Sequence, residues 1–391
     1  MLVFYKKTFS KNKTVTMKKL YLIVILVLAV VTSLYAYQRF YKIKSMPIAS
    51  QSVPKPNIDS IDRWLQAQQR AGKFNGAVLI AKNHKPLLMK GYGYTDYSRK
   101  QKITPQSSFR LASVSKNFTA AAIMLLKEKG LIDYDKSLTT YFTDFPYPNV
   151  TVRHLLNHTS GIPDLYMHLA NKHSDQVGEI LSTKEVVQLM TKFPNKRKSK
   201  TPLKRFRYSN TGYVLLAGIV EQVTGKSFEA FMQKELFEPL NMKNTRVWNL
   251  FSKSKTFPNK TTGFYQKDNQ YYPHITSFLD GVAGDGAVFS SLEDFLIWDK
   301  FWYNNSLVSQ ENLQEAFKPV ALKKRKVSQY GFGWVLGDEG RISHTGSWLG
   351  ARNYIIRDTK TKTCIVVLDN STNIHYSGEI ANTIEEIILK D

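Results

Sequence analysis

Strand-like segments stand near both ends of this chain, and helical patterns dominate the roughly two hundred residues between them. Near the start, "GAVLIAKN" and "PLLMKGYGY" read as a strand pair joined at Asn83-His84-Lys85. Just before them, "NIDSIDRWLQAQQRA" places Ile58, Ile61, Trp64 and Leu65 on one helical face. From Tyr330 onward, "YGFGWVLG", "GRISHTG", "RNYIIRD" and "KTCIVVLDN" read as strands, and a last helix, "SGEIANTIEEIILK", follows. The middle carries helical runs such as "TAAAIMLLKEKG", "STKEVVQLMTKF", "GYVLLAGIVEQVTG" and "SSLEDFLIWDKFWYN". Gly130 and Gly225 stand where helix C-terminal glycines belong. One antiparallel sheet assembled from both chain ends and flanked by helices, with a mostly helical inserted lobe, explains this order more simply than two sequential domains. The expected class is α+β.

Four segments are expected: a basic stretch over 1–19, an apolar one over 20–37, a linker over 38–56 and one folded domain over 57–391. "LYLIVILVLAVVTSLYAY", Leu20 to Tyr37, has no charged residue and as a helix would span about 27 Å, close to the bilayer core. Six lysines precede it and three basic residues follow closely, a bias that keeps the N-terminus in the cytoplasm and exports the rest. The expectation is an uncleaved membrane helix holding an extracytoplasmic domain; cleavage as a signal peptide, after the poor site "LYA", is the rival reading and would make the domain secreted. Residues 57–391 carry 45 basic and 31 acidic residues, so a basic surface persists beyond the N-terminus. The lone Cys364 sits in an apolar strand-like run and reads as a buried structural thiol.

"RLASVSKNFTAAAIMLLKEKG" places Ser113 three residues before Lys116. On a helix, i and i+3 share a face whereas i and i+1 diverge by about 100°. Lys116 therefore reaches Ser113 more readily than Ser115. A serine hydroxyl attacks well only when a neighbour accepts its proton, and a lysine does so only when neutral. Acylation through Lys116 is accordingly expected to fall as the solution becomes acidic. A helix N-terminus adds N–H groups suited to a developing oxyanion. Ser-x-x-K alone is common, but two further pieces follow it. "RYSN" supplies Tyr208, a proton relay beside a lysine, and Asn210, an amide able to hold a substrate amide or carbonyl. "SHTG" supplies His344, Thr345 and Gly346 at the end of a predicted strand, where a glycine lets substrate backbone lie along the edge.

In this order the three pieces resemble the signature of the penicillin-recognising serine hydrolases: class C β-lactamases, D-Ala-D-Ala carboxypeptidases and related esterases and D-aminopeptidases. The resemblance extends over roughly residues 60–390 and includes "LLNHTSGIPD" and "GDGAVFSSLEDF". It implies a β-lactamase/transpeptidase-like fold. It also implies Ser113 as nucleophile, Lys116 as base, and Tyr208 as relay to the leaving group and base for the deacylating water. Asn210 would hold the acyl-side amide, and His344 and Thr345 would flank a substrate carboxylate. The backbone N–H groups of Ser113 and Ser347 would form the oxyanion hole. Histidine stands where class C β-lactamases typically carry lysine, which weakens the expected carboxylate anchor, since a histidine near its unperturbed pKa is only partly charged at pH 7.

The expected activity is that of an extracytoplasmic acyl-serine hydrolase, foremost a D-alanyl-D-alanine carboxypeptidase or related penicillin-binding-protein or β-lactamase-like activity. An esterase on small esters or D-alanylated teichoic acid is the alternative, and an inactive wall-binding or penicillin-sensing protein a third. The partner is a small-molecule or cell-wall acyl substrate, with no cofactor and no nucleic acid expected; the oligomeric state is open. His154 and His158 sit at i, i+4 as in zinc helices, but residue 155 is Leu where the metalloprotease motif needs Glu, so no metal is expected. The basic runs Lys192–Arg207 and Lys323–Lys326 read first as solvated loops, and alternatively as a positive rim for an anionic polymer. Asp285, between two glycines, reads as a turn residue or a tuner of Lys116.

Overall fold

The computed structural model describes residues 58–195, 199–371 and 376–389. The chain divides into two units, Met1–Val53 and Pro54–Asp391. The first lies wholly outside the described residues, as does the expected membrane segment 20–37. Among the described residues no helix is long and apolar enough to cross a membrane.

The elements that frame the site are α1 (Ile58–Arg70), β1 (Gly76–Lys82), β2 (Lys85–Tyr92), α2 (Ser115–Glu128), α3 (Asn210–Thr224), β3 (Val335–Leu336), β4 (Arg341–Trp348), β5 (Ala351–Asp358), β6 (Thr363–Asp369) and α4 (Tyr376–Leu389). One antiparallel sheet runs β3-β4-β5-β6-β1-β2. Its centre joins the two chain ends, with Ala77 opposite Leu368 and Leu79 opposite Val366. The turn at Asn83-His84 takes positive φ at both residues, as a two-residue hairpin of this twist requires.

Strand alternation explains the two layers. Val78, Ile80, Ile365 and Val367 point to one face, where Ile61 and Leu65 of α1 and Ile380 and Ile384 of α4 cover them. Ala77, Leu79, Val366, Leu368 and the buried thiol of Cys364 point to the other face, onto the helical lobe. With both faces covered, β1 is apolar almost throughout, the pattern of a doubly buried strand. Helix α2 lies at the centre of the lobe, buried on every side from Ser115 to Leu126. Helix α3 ends at Gly225, whose φ of 66° closes the helix in the left-handed conformation.

The middle is not purely helical. Phe109–Arg110, Val288–Ser290 and Arg246–Val247 form a small three-stranded sheet, and Phe264–Lys267 pairs with Gln270–Pro273. Strands of two to four residues carry too little alternation to be seen in sequence. The stretch "VRHLLNHTSG" forms only a five-residue helix, Val152–Leu156, ending before His158 turns left-handed at φ 57°.

Candidate active site

The residue before Ser113 sets its position. Ala112 takes a φ of 51°, a value uncommon for a side chain with a Cβ, and opens the 3-10 turn Ala112–Val114 that runs into α2. Across this junction the i, i+3 relation survives: Lys116 Nζ donates to Ser113 Oγ at 3.2 Å. Ser115 belongs to the core. It is fully buried, and its Oγ accepts the Val288 N–H at 3.1 Å.

Lys116 is fully buried, and its ammonium group has three acceptors. Besides Ser113 these are Asn210 Oδ1 at 2.8 Å and the Asp285 carbonyl at 2.9 Å. Among the described residues no carboxylate lies within ion-pair distance of it. Asn210 opens α3, and its amide also donates to Asp164 Oδ2 at 3.1 Å. Asp164 Oδ1 accepts both the N–H and the hydroxyl of Thr211, so one carboxylate fixes the helix start and aims Asn210. Tyr208, half-exposed, meets Lys116 through its ring, with Nζ 5.0 Å from the centroid.

Strand β4 closes the other side. A Cβ on Gly346 would sit 2.2 Å from the Leu111 carbonyl and 3.1 Å from Ser113 N, so only glycine lets the strand lie this close to the serine turn. Ser113, Asn210, Ser347, Tyr166 and Trp348 line one cleft of about 250 Å³. Arg110 lines it too, 3.7 Å from Asp280.

The other two strand residues stand elsewhere. His344 is buried, its Nε2 bonded to the Tyr330 hydroxyl at 2.9 Å and its Nδ1 2.7 Å from the Thr345 carbonyl. Thr345 lines an open groove with Arg352 and Tyr354 that shares Ser347 with the cleft. The expected pair of carboxylate anchors therefore departs from the geometry, because a histidine this deeply buried satisfies its ring nitrogens from within the protein. His154 caps its own helix by accepting the Thr151 N–H, and His158 accepts the Ser209 N–H at 3.2 Å; each has a structural task.

Burial governs the charges around the cleft. It drives His344 down to about 3, with the Lys116 charge adding to the effect. His158, fully enclosed and with its ring 4.3 Å from that of Tyr208, is pushed well below its ordinary value by the same two causes. Both rings are thus neutral near pH 7. Burial lifts the Asp285 carboxyl to about 6 against the pull of Lys116, and the Tyr166 hydroxyl donates to it at 3.0 Å. Asp285 serves Lys116 through its carbonyl and keeps its carboxyl for Tyr166.

The two basic runs, distant in sequence, meet beside Tyr208. The Lys323 N–H donates to the Leu203 carbonyl at 2.8 Å, and the Leu203 and Arg207 N–H groups donate to the carbonyls of Thr159 and His158. Lys200, Lys204, Lys323, Lys324 and Lys326 form no ion pair among the described residues. Residues 196–198 of the first run lie outside the described residues.

Nothing in the sequence marks the roles of Arg110 and Tyr330. Asp164 closes "LLNHTSGIPD" and Asp285 lies in "GDGAVFSSLEDF", read as a turn residue or a tuner of Lys116, but neither stretch shows the contact its residue makes.

Comparison with known proteins places the chain by family and by fold. The family model described as Beta-lactamase matches residues 61–387. Penicillin-binding protein 4* of Bacillus subtilis (strain 168) is 35% identical over 335 residues, covering 81% of this chain and 73% of that protein. Protein flp of Staphylococcus aureus (strain N315) is 27% identical over 326 residues; the match covers 79% of this chain but 62% of flp, less than two thirds of its length. The octameric penicillin-binding protein homologue from Pyrococcus abyssi superposes with a TM-score of 0.72 at 25% identity, over 85% of this chain and 77% of that one.

Proposed function

The chain belongs to the Beta-lactamase family of penicillin-binding-protein-like serine hydrolases, and from that premise we propose that it hydrolyses acyl substrates through an acyl-Ser113 intermediate, foremost as a D-alanyl-D-alanine carboxypeptidase. The observation that carries this reading is the 3.2 Å contact between Lys116 Nζ and Ser113 Oγ at the edge of the cleft. With Lys116 neutral, its nitrogen takes the serine proton as Oγ bonds to the acyl carbon. The backbone N–H groups of Ser113 and Ser347 receive the oxyanion, and the bond to the leaving group breaks as Tyr208 passes it a proton. Tyr208, left as a phenolate, takes a proton from water as the water attacks the acyl carbon, and Oγ leaves as it regains its proton from Lys116. Asn210 holds the acyl-side amide while Asp164 and Lys116 hold Asn210. The apolar segment 20–37 supports an extracytoplasmic site of action, on wall peptides.

A fluorescent penicillin tests the chemistry: labelling of the wild type and none of Ser113→Ala is the expected result, and equal labelling of both ends the reading. Release of D-Ala from a D-Ala-D-Ala peptide tests the carboxypeptidase activity.

One observation favours a second reading, an esterase on small esters or on D-alanylated teichoic acid. The inward-turned, neutral His344 offers a substrate carboxylate no charge, and the joined basic runs beside Tyr208 suit a polyanion. Turnover of p-nitrophenyl esters without D-Ala release selects it.

A further inference from the structure

We propose that the cavity adjoining the catalytic cleft across Arg110 is an anion site, in which Lys260 and Arg110 take a carboxylate or phosphate group. This cavity encloses about 240 Å³ and is lined by Arg110, Lys260, Trp248, Phe289 and Asp369, with Ile275, 82% exposed, beside its mouth. Arg110 lines both this cavity and the catalytic cleft.

Two cations converge here. Lys260 Nζ stands 3.5 Å above the Trp248 ring and 5.9 Å from the Phe289 centroid, and Arg110 Cζ lies 4.9 Å from that same Phe289 centroid. Aromatic faces accommodate such charges but supply no acceptor for their N–H groups. Among the described residues Lys260 has no ion pair, and Arg110 has only Asp280 at 3.7 Å. Asp280 is already engaged, accepting from Trp348 Nε1 at 2.8 Å and from the Ser277 N–H at 2.7 Å. Burial and the Arg110 charge together push Lys260 down to about 8, the response of an ammonium placed beside a second cation without a counterion.

The one carboxyl in the lining does not fill that role. Asp369 is fully buried; its Oδ1 accepts from the N–H and hydroxyl of Ser371, and its Oδ2 has no partner among the described residues. Burial lifts it to about 7, so near neutrality half of it is the uncharged acid. An incoming carboxylate or phosphate would meet two cations between aromatic rings, a setting that favours charge-assisted hydrogen bonds.

The anionic group belongs either to the substrate acylating Ser113 or to a free anion, and the experiment separates the two. In the full-length protein with lysines reductively 13C-methylated, the Lys260 resonance is identified by its loss in Lys260→Arg. Its titration midpoint, near 8 without anions, should rise to about 9 under saturating inorganic phosphate, a tenfold preference of the anion for the charged lysine. A midpoint unmoved by phosphate and by acetate overturns the proposal. The source is read from p-nitrophenyl esters of a dicarboxylic acid and of its methyl-capped counterpart, an arm that rests on the hydrolase reading. If Lys260→Gln lowers kcat/KM about tenfold for the carboxylate-tailed ester and within twofold for the capped one, the substrate supplies the group. Equal effects on both, with the midpoint shift intact, assign the site to a free anion. If the wild type turns over neither ester, the hydrolase reading falls while the titration still decides the site.

Discussion

The serine turn leading into α2 and the strand β4 pack against each other, and each carries a short motif, yet the two motifs translate into structure differently. On the helical side both side chains do what their spacing implies: Ser113 and Lys116 meet because i and i+3 share a helical face. On the strand side the backbone follows expectation while the side chains do not. Gly346 brings β4 onto the serine turn, but His344 turns into a pocket of aromatic rings and Thr345 lines another groove. Helical spacing fixes which side chains touch, whereas strand spacing fixes only which face each one takes. What His344 meets on that face is decided by Tyr330, fourteen positions earlier, on a segment bridged to Val335 of β3.

Lys116→Met should lower kcat/KM for a reporter ester by about 10³- to 10⁴-fold through loss of the base; a fall below tenfold would remove Lys116 from the chemistry. On the strand side, Gly346→Val should cost about 10²- to 10³-fold by pushing β4 off the serine turn, as loss of an oxyanion donor does elsewhere. Near-normal turnover of that variant would show that the close approach is dispensable.

Acid sharpens the contrast. His344 titrates near 3 in the folded protein and near 6.5 when unfolded, so as pH falls below 6.5 the unfolded chain binds a proton that the folded one refuses. Stability from this group is full above pH 6.5 and is lost progressively toward pH 3. Asp285 and Asp369, raised to about 6 and about 7, act with the opposite sign, since the folded state holds their protons longer. The wild type must therefore be compared with His344→Gln. Its stability advantage should shrink by about 2–3 kcal/mol between pH 7 and pH 4.5, measured by urea unfolding. A constant advantage would mean that His344 is not a neutral buried ring. The smallest effect tests the anchor itself: the preference for a carboxylate-bearing substrate over its amide should change less than about twofold in His344→Gln, despite a loss of roughly 1–3 kcal/mol in stability from the orphaned Tyr330 hydroxyl. A tenfold loss of preference would restore His344 as the anchor.

The sheet was legible in the sequence because its strands carry long apolar runs at both chain ends, and Gly225 and Cys364 stand as their local patterns imply. Ser113 and Lys116 were legible because they are i, i+3 neighbours across the short junction of the 3-10 turn and α2. What stayed hidden depends on several segments meeting at once. The Asp285 carbonyl has no side-chain signature, Asp164 acts through α3, and the cavity between Arg110 and Lys260 is lined by segments spread from Phe109 to Asn370.

Strand β1 leaves the ribosome about three hundred residues before its neighbour β6. Until β6 arrives, one edge of β1 shows its peptide groups to whatever strand comes near. The central sheet thus has no complete form in a half-made chain. A protein truncated before Thr363 would keep Ser113 and Lys116 in its sequence while leaving an open, apolar, self-adhesive edge at the heart of the fold.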